Sequence, residues 1–445
     1  MHEDSRQYVM RAARERGVKF IRLWFTDMLG YLKSFAITVE ELEDALEYGK
    51  GFDGSSIEGF TRAEESDMVA WPDPDTFCLL PWRTSNDGIS VARMFCDIVW
   101  PDGTPYESDP RRVLKRNLQR AKKMGYTYYV GPEIEFFYFR NSSPKPETLD
   151  CGGYFDLTPL DVASDLRRDT VLTLEKMGIP TEYSHHELAP SQHEIDLRYG
   201  DALSMADSTM TYRLVVKEVA LRNGVYATFM PKPLPDQDGS GMHIHQSLFQ
   251  GERNLFYDKN DTDLLSDLAK AFIAGLLHHA PEIVAVTNQW VNSYKRLVAG
   301  YDSPVNVTWG FRNRSSLVRV PRYNPHMKES VRVEFRAPDP SCNPYLAFSV
   351  MLAAGLEGIE KGYALPPAVE EDLTRLSPEE IVSRGINRLP DNLLDAVRLL
   401  EKSELVRKAL GDDLFEKFVQ NKKIEWRNYH QHISEYEMER YLPLL

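Results

Sequence analysis

The residues best suited to chemistry lie in Gly131-Pro132-Glu133-Ile134-Glu135-Phe136-Phe137. A strand points successive side chains to opposite faces, so Glu133 and Glu135 share one face while Ile134 and Phe136 share the other. Carboxylates held that close repel each other unless water or cations neutralise them. Acids and imidazoles recur downstream in similar settings. Ser184-His185-His186-Glu187 and Gln192-His193-Glu194-Ile195-Asp196 flank Pro190, and a hairpin there would bring Glu187 to Glu194. Gly239-Ser240-Gly241-Met242-His243-Ile244-His245 sets two imidazoles on one strand face after a flexible entry. Arg332-Val333-Glu334-Phe335-Arg336 does the same for two arginines and a carboxylate. Each cluster alone fits a solvated face or an ion pair as well as it fits a site.

The elements that must position these groups can be read from periodicity. A helix over 5–16 precedes two apolar or alternating runs, Val18 to Trp24 and Leu32 to Ile37, which form a hairpin around Thr26-Asp27-Met28-Leu29-Gly30. Glu40 to Tyr48 reads as a helix ended by Gly49 and Gly51, and the loop 52–60 is too rich in glycine and serine for a regular element. A loop of that kind is suited to presenting Asp53. Strands follow around Phe77 to Leu80 and Ser90 to Ile98, and the break at Trp100-Pro101-Asp102-Gly103-Thr104-Pro105 places a domain boundary at about residue 105. Asp109-Pro110 starts a helix that runs to Lys123. Amphipathic helices are predicted at Asp165–Met177, Ala202–Leu221 and Asp263–His279, and a buried one at Asn343–Gly362. The pattern after Pro366 is helical to the end, with Glu437 to Leu445 as an amphipathic arm suited to docking a partner. There is no GxGxxG or GxxxxGK[ST], so neither nucleotide fingerprint is available.

The 445 residues are enough for a large and a smaller domain, with 42% hydrophobic and 27% charged residues. A net charge of −14 excludes a nonspecific nucleic-acid or anionic-membrane binder, because both need a positive field. Cys78, Cys96, Cys151 and Cys342 lie far apart with no CxxC spacing, as expected of free thiols in a reducing compartment. No signal-peptide pattern and no membrane-length apolar run is present, so a cytoplasmic protein is expected.

The chain resembles type I glutamine synthetases, specifically their shorter, non-adenylylated branch. The resemblance runs nearly end to end, through FDGSSIEGF at 52–60, PEIEFF at 132–137, GGYF at 152–155, SHHE at 184–187, FMPKP at 229–233, GSGMH at 239–243, NSYKRLV at 292–298, NRS at 313–315, RVEFR at 332–336 and NPYLAF at 343–348. It implies an α+β fold, with a small N-terminal β-grasp-like domain (residues 1–105) and a large catalytic domain (106–445) built on a curved antiparallel sheet flanked by helices. It implies two or more divalent cations per active site, Mg²⁺ or Mn²⁺, one held by Glu135, Glu187 and Glu194 and another by Glu133, His243 and Glu334. Carboxylate-dominated donors without thiolate favour those ions over zinc, and five converging carboxylates are tenable only around cations.

The reaction implied joins ammonia to L-glutamate, with ATP as substrate, through γ-glutamyl phosphate. By resemblance, His245, Ser247, Arg314, Arg319 and Arg332 contact ATP or the transferring phosphate, and Gly239, Arg296 and Arg336 grip glutamate. Arginine suits both tasks because its planar fork pairs two oxygens at once. Asp53, Ser56, Tyr154 and Glu187 would form the ammonium pocket, with Asp53 supplied by a neighbouring subunit of a double-ring dodecamer. Arg62 matches the arginine through which the shorter branch responds to glutamine.

Two positions depart from the family pattern. The flap reads Gly300-Tyr301-Asp302-Ser303-Pro304, where the family has glutamate at the position of catalytic Asp302, and Asp238 stands where the family has asparagine. One methylene less shortens the reach by about 1.5 Å. The flap must sit closer, or the amine must be held differently, and a γ-glutamyl-polyamine or other amine ligase is the alternative. A catalytically inactive, nitrogen-sensing relative is a further one.

Overall fold

The computed structural model describes residues 2–55, 57, 66–83, 88–322, 327–373 and 376–445. The N-terminal part carries α1 (His2–Glu15), β1 (Val18–Thr26), β2 (Leu32–Thr38), α2 (Leu42–Tyr48), β3 (Lys50–Asp53), β4 (Asp67–Pro72), β5 (Cys78–Leu79) and β6 (Ser90–Val99). Its sheet has the order β2-β1-β6-β4-β3, with β5 on β6; β1 and β6 run parallel and the other pairs antiparallel. The predicted hairpin forms as β1 and β2. β3 extends through Phe52 and Asp53, which the sequence had assigned to the following loop, because their backbone pairs with Met68 and Asp67.

The second part begins with α3 (Pro110–Lys123), capped by Asp109 through the Arg111 N–H, and β7 (Thr127–Phe139). Then come α4 (Ser164–Lys176), β8 (Thr181–His186), β9 (Gln192–Leu197), β10 (Gly200–Asp201), α5 (Ala202–Arg222), β11 (Tyr226–Thr228), β12 (Met242–Gln250) and β13 (Arg253–Asn254). After α6 (Asp267–Thr287) and the single turn α7 (Ser293–Arg296) lie β14 (Asn306–Gly310), β15 (Ser316–Arg319), β16 (Val333–Phe335) and α8 (Pro344–Lys361). The chain ends in α9 (Pro378–Ser383), α10 (Leu393–Leu400), α11 (Glu404–Leu410), α12 (Asp412–His430) and α13 (Glu435–Tyr441). The large sheet has the order β14-β15-β16-β12-β7-β9-β8, antiparallel except for β14 against β15, with β10 and β11 on β7 and β13 on β12.

α6 departs from expectation at its end. The sequence predicts a stop at His279, before Pro281, yet the helix continues to Thr287. A proline inside a helix costs about 3 kcal/mol, and the extra turns bury Ile283, Val284, Ala285 and Val286, which returns more than that. α6 lies against α8 at closest approach. A Cβ on Gly275 would meet the Ala354 carbonyl oxygen at 2.2 Å, and one on Gly358 would meet that of Ala271 at 2.1 Å. α8 is buried along nearly its whole length, as its apolar sequence requires. Its N-cap Asn343 accepts from the Tyr345 N–H and donates Nδ2 to the carbonyls of Asp27 and Met28, tying the N-terminal hairpin to the catalytic core. α13 and the four residues after it leave Tyr436, Met438, Tyr441, Leu442, Leu444 and Leu445 exposed.

Candidate active site

Strand register lays the candidate residues out in cross-strand rows on one face of the large sheet. Glu135 of β7 is opposite Glu194 of β9, which is opposite His185 of β8. One period along, His243 of β12 faces Glu133, and Glu133 faces Asp196. On the other side His245 is opposite Glu334 of β16, and Glu334 is opposite Arg319 of β15. The β8–β9 hairpin turns through Leu188 to Ser191, and the Glu187 N–H donates to the Gln192 carbonyl, bringing Glu187 beside Glu194 as the sequence suggested.

These rows line a cavity of about 500 Å³ whose wall includes Glu133, Glu135, Glu187, Glu194, His243 and Glu334, with Tyr154, Asp302, Arg314, Arg319 and Arg336 around them. Glu133, His243 and Glu334 converge with their donor atoms within 4.8 Å of one another. Glu187 and Glu194 converge in the same way with His185, and Glu135 lies against Glu194 in the ladder. His185 stands in the same SHHE run but carries no expected role from the sequence. Its Nε2 lies 3.1 Å from Glu194 Oε2 and its Nδ1 3.4 Å from Glu187 Oε1.

The electrostatics divide the two groups. Burial, then the neighbouring Glu187, pushes Glu135 well above the usual carboxylate range, and burial with Asp196 and Glu135 does the same to Glu194. Burial also raises Glu133 and Glu334, but His245 and His243 beside the first, and Arg336 and His245 beside the second, outweigh it and hold both low. Glu334 is fully buried and receives Arg336 Nη1 at 2.5 Å and Arg319 Nη1 at 2.8 Å. Among the described residues Glu135 has only neutral donors, the Gly241 N–H at 2.9 Å and Gln192 Nε2 at 2.8 Å. Hard oxygen donors with one or two imidazoles, no thiolate and a surplus of buried negative charge fit divalent magnesium or manganese. His243 turns Nδ1 to the two carboxylates, 3.3 Å from Glu133 Oε2 and 3.6 Å from Glu334 Oε1, so an imidazole nitrogen converges with both.

A third convergence, Asp150, His186 and His193, does not suit a cation. Arg167 Nη1 lies 2.8 Å from His193 Nδ1 and can only donate, so the neutral ring carries its proton on Nε2 and has no lone pair to spare. His186 joins Asp150 Oδ1 at 3.1 Å to the Glu187 carbonyl at 2.7 Å and braces the turn that carries Glu187.

The remaining expected residues are placed unevenly. His245 Nε2 lies 2.5 Å from Glu133 Oε1, and Arg332 Nε donates to His245 Nδ1 at 3.1 Å. Ser247 follows on the same strand face and is buried. The Arg314 guanidinium stands 5.7 Å from the Tyr154 ring centroid. Arg312 and Arg322, also in the wall, were not anticipated. Arg336 Nη2 reaches Asp302 Oδ1 at 3.2 Å. Arg296, expected beside Arg336, is 1% exposed and donates its Nη groups to the carbonyls of Ala337, Pro338 and Arg336. It packs behind Gly239 and Gly241, where a Cβ would come within 3.1 Å of its Cγ and 2.5 Å of its Nη2 respectively. Gly241→Ala is therefore expected to displace Arg296 and the Gly241 N–H that holds Glu135, and to lower kcat/KM by about a hundredfold or more. Steady-state phosphate release, with circular dichroism as the fold control, checks it.

Asp53 does not line the cavity of its own chain. Its carboxylate is held low by the N–H groups of Ser55 and Ser66 and the Ser55 hydroxyl, on an exposed strand end. Ser56 and Arg62 lie outside the described residues.

A family model described as the glutamine synthetase catalytic domain matches residues 107–441, and one described as the glutamine synthetase beta-Grasp domain matches 17–101. The chain belongs to the glutamine synthetase family. It is of the type I kind, as the motif order indicated. Glutamine synthetase of Mycolicibacterium smegmatis is 56% identical over 445 residues, covering 99% of this chain and 100% of that one. Those of Methanosarcina mazei and Thermotoga maritima are 49% and 47% identical, covering 99% and 98% of this chain and 98% and 99% of theirs. Among solved structures, a GmaS–ADP complex superposes with a TM-score of 0.88 at 33% identity, covering 98% of this chain and 99% of that one. The α+β architecture with a β-grasp domain is the glutamine synthetase arrangement expected from the sequence. Among the described residues no helix is long and apolar enough to cross a membrane.

Proposed function

We propose that this glutamine synthetase family member is an ATP-dependent ligase that joins ammonia to the γ-carboxylate of L-glutamate. The observation that carries the reading is one cavity with Glu133, Glu135, Glu187, Glu194, His243 and Glu334 on its floor and Arg314, Arg319 and Arg336 on its wall. A carboxylate resists amines because its leaving group would be an oxide, and phosphorylation by ATP removes that obstacle. Divalent cations at the two donor groups would screen the phosphates and the charge that develops on transfer.

The chain's own residues supply the rest. Arg314 and Arg319, with Arg332 steadied on His245, are suited to bind phosphate oxygens, and Ser247 and His245 extend the same face toward the nucleotide. Arg336 faces the cavity with a fork for the glutamate carboxylate, while Gly239 and Arg296 shape the wall behind it. Asp302 takes a proton from the incoming amine in this reading, a role supported by its sharing the cavity wall with Tyr154 and Glu187. Although one methylene shorter than the family's glutamate, it reaches the cavity, which supports the closer-flap alternative.

The exposed carboxylate of Asp53 supports a site completed by a second copy of the chain, and the exposed apolar arm 436–445 suits contact between copies; a dodecamer of two rings is the arrangement proposed. The division near residue 105 and glutamine control through Arg62 remain part of the same proposal. The test is phosphate release with glutamate, ATP and Mg²⁺ or Mn²⁺, comparing ammonium with putrescine and ethanolamine. Ammonium-dependent turnover is expected. Turnover with the larger amines alone would replace the acceptor, and no metal-dependent turnover with any amine would point to an inactive relative.

A further inference from the structure

Resting on the ligase reading, we infer that His186 is a positioning residue that fixes the spacing of Tyr154 from Glu187 and thereby favours ammonia over larger amines. Tyr154 and Glu187 reach the cavity from two separate pieces of chain, the segment 150–155 and the turn that follows β8. Both pieces lie outside the strands, so the ladder that aligns the other donors does not set the gap between them. His186, the last residue of β8, joins the two. Its Nδ1 donates to the Glu187 carbonyl at 2.7 Å and its Nε2 to Asp150 Oδ1 at 3.1 Å, while its own carbonyl accepts the Phe155 N–H at 3.1 Å. A carbonyl and a carboxylate accept and do not donate, so the ring offers a proton on each edge.

Asp150 grips the turn a second time. Its Oδ1 also accepts the Ser191 N–H at 2.7 Å, and Ser191 Oγ accepts the N–H groups of Leu149 at 2.7 Å and Asp150 at 3.3 Å. Ser191 sits at φ +64°, a conformation that a non-glycine residue keeps only where its surroundings over-determine it, and these bonds do so. The side chains of His186 and Asp150 are both buried. Gly152 passes so near the ring that a Cβ there would meet His186 Nε2 at 2.8 Å. Two hydrogen bonds and the Gly152 backbone thus fix the imidazole, and the imidazole fixes the two pieces of chain to each other.

The consequence concerns the incoming amine, which in the ligase reading meets Tyr154 and Glu187. A pocket with fixed walls discriminates against an amine one methyl group larger by about 10- to 200-fold, and a pocket whose walls can part loses that discrimination. Side chains that touch a substrate are held to such tolerance only when the groups behind them are themselves locked by packing and hydrogen bonds. His186 and Asp150 do not line the cavity, so they act through Glu187 and Tyr154.

The test uses the full chain loaded with Mg²⁺ and compares Asp150→Ala, Asp150→Asn and Gly152→Ala. Phosphate release gives kcat/KM for ammonium and for methylamine, and amide hydrogen exchange at Phe155 reads the clamp without any turnover. In Asp150→Ala that exchange should quicken by about tenfold or more, from the loss of hydrogen bonds to a charged acceptor. The methylamine-to-ammonium ratio of kcat/KM should rise by about tenfold, with the KM for ammonium raised and that for ATP near the parent's. Gly152→Ala leaves Asp150 intact and displaces the ring from its other side, so it should act in the same direction and serves if Asp150→Ala does not fold. Asp150→Asn keeps an acceptor oxygen for His186 and Ser191 and should stay close to the parent. Unchanged exchange at Phe155 in Asp150→Ala and Gly152→Ala overturns the clamp. Faster exchange with an unchanged amine ratio, or with the KM for ATP raised as much as that for ammonium, overturns the positioning role. A parent chain with no turnover on any amine would defeat the ligase reading and the amine choice with it, and exchange at Phe155 would still decide whether the clamp exists.

Discussion

Glu334→Gln is expected to lower turnover about a thousandfold, equivalent to about 4 kcal/mol of transition-state stabilisation. Glu334 is fully buried, faces His243 and Glu133, and carries the ion pairs of both Arg319 and Arg336. Glutamine has nearly the same shape but removes the charge that balances two guanidinium groups. Breaking a buried pair on one side leaves the other charge unpaired, a penalty of about 3–5 kcal/mol, and here the positive surplus adjoins a proposed cation position. Two losses should therefore coincide, weaker Mn²⁺ binding at the Glu133–His243 group and slower phosphate release. Titration calorimetry with Mn²⁺ reads the first and steady-state kinetics the second. Full activity with unchanged metal affinity would remove Glu334 from the machinery.

The second large effect is on stability. Metal-free, Glu135 and Glu194 lie above the usual carboxylate range, and Asp196 is pushed up to about 8 by burial and Glu133. The folded chain thus keeps protons that the unfolded chain sheds above pH about 4. Where the folded state binds more protons, stability falls as pH rises, so these groups destabilise the metal-free protein increasingly from about pH 4 toward 8. Neutral His243, lowered by burial and Arg336, works the other way near pH 6.5. Adding Mn²⁺ replaces the protons on Glu135 and Glu194, so its stabilisation should grow with pH. At a hundred times the dissociation constant each site contributes about 2.7 kcal/mol, and for two sites in a chain of this length that is a rise in Tm of about 5 °C. Scanning calorimetry at pH 6 and 8, with and without Mn²⁺, should show the larger rise at pH 8, with proton release on binding. A rise independent of pH would contradict the assignment of the buried carboxylates.

Much of the site was legible because strands have a period of two. Glu133 with Glu135, His243 with His245, and the hairpin that brings Glu187 to Glu194 follow from alternation and from one proline turn. What alternation does not show is which strand lies beside which. His185 joins Glu194 only because β8 pairs with β9, and Arg312 and Arg322 enter the wall from the segments before and after β15, whose paths no local pattern specifies. The direction of Arg296 was illegible for another reason. Two glycines, recognisable only as a flexible entry, let its guanidinium pass behind the floor to reach three carbonyls. The helix through Pro281 shows propensity losing to burial, because a local signal for a stop was outweighed by four apolar side chains with nowhere else to go.

The glycine contact between α6 and α8 has a mechanical consequence. With backbones this near, neither helix can slide or roll without collision, so the pair acts as a keel. The two run antiparallel, so the mooring is concentrated at one end: there Asn343 holds the N-terminal hairpin, and Asn288 Nδ2, just past α6, holds the Ala337 carbonyl and Asp339 at the exit from β16. A ligand entering the cavity therefore meets a scaffold that does not yield at the seam between these two helices.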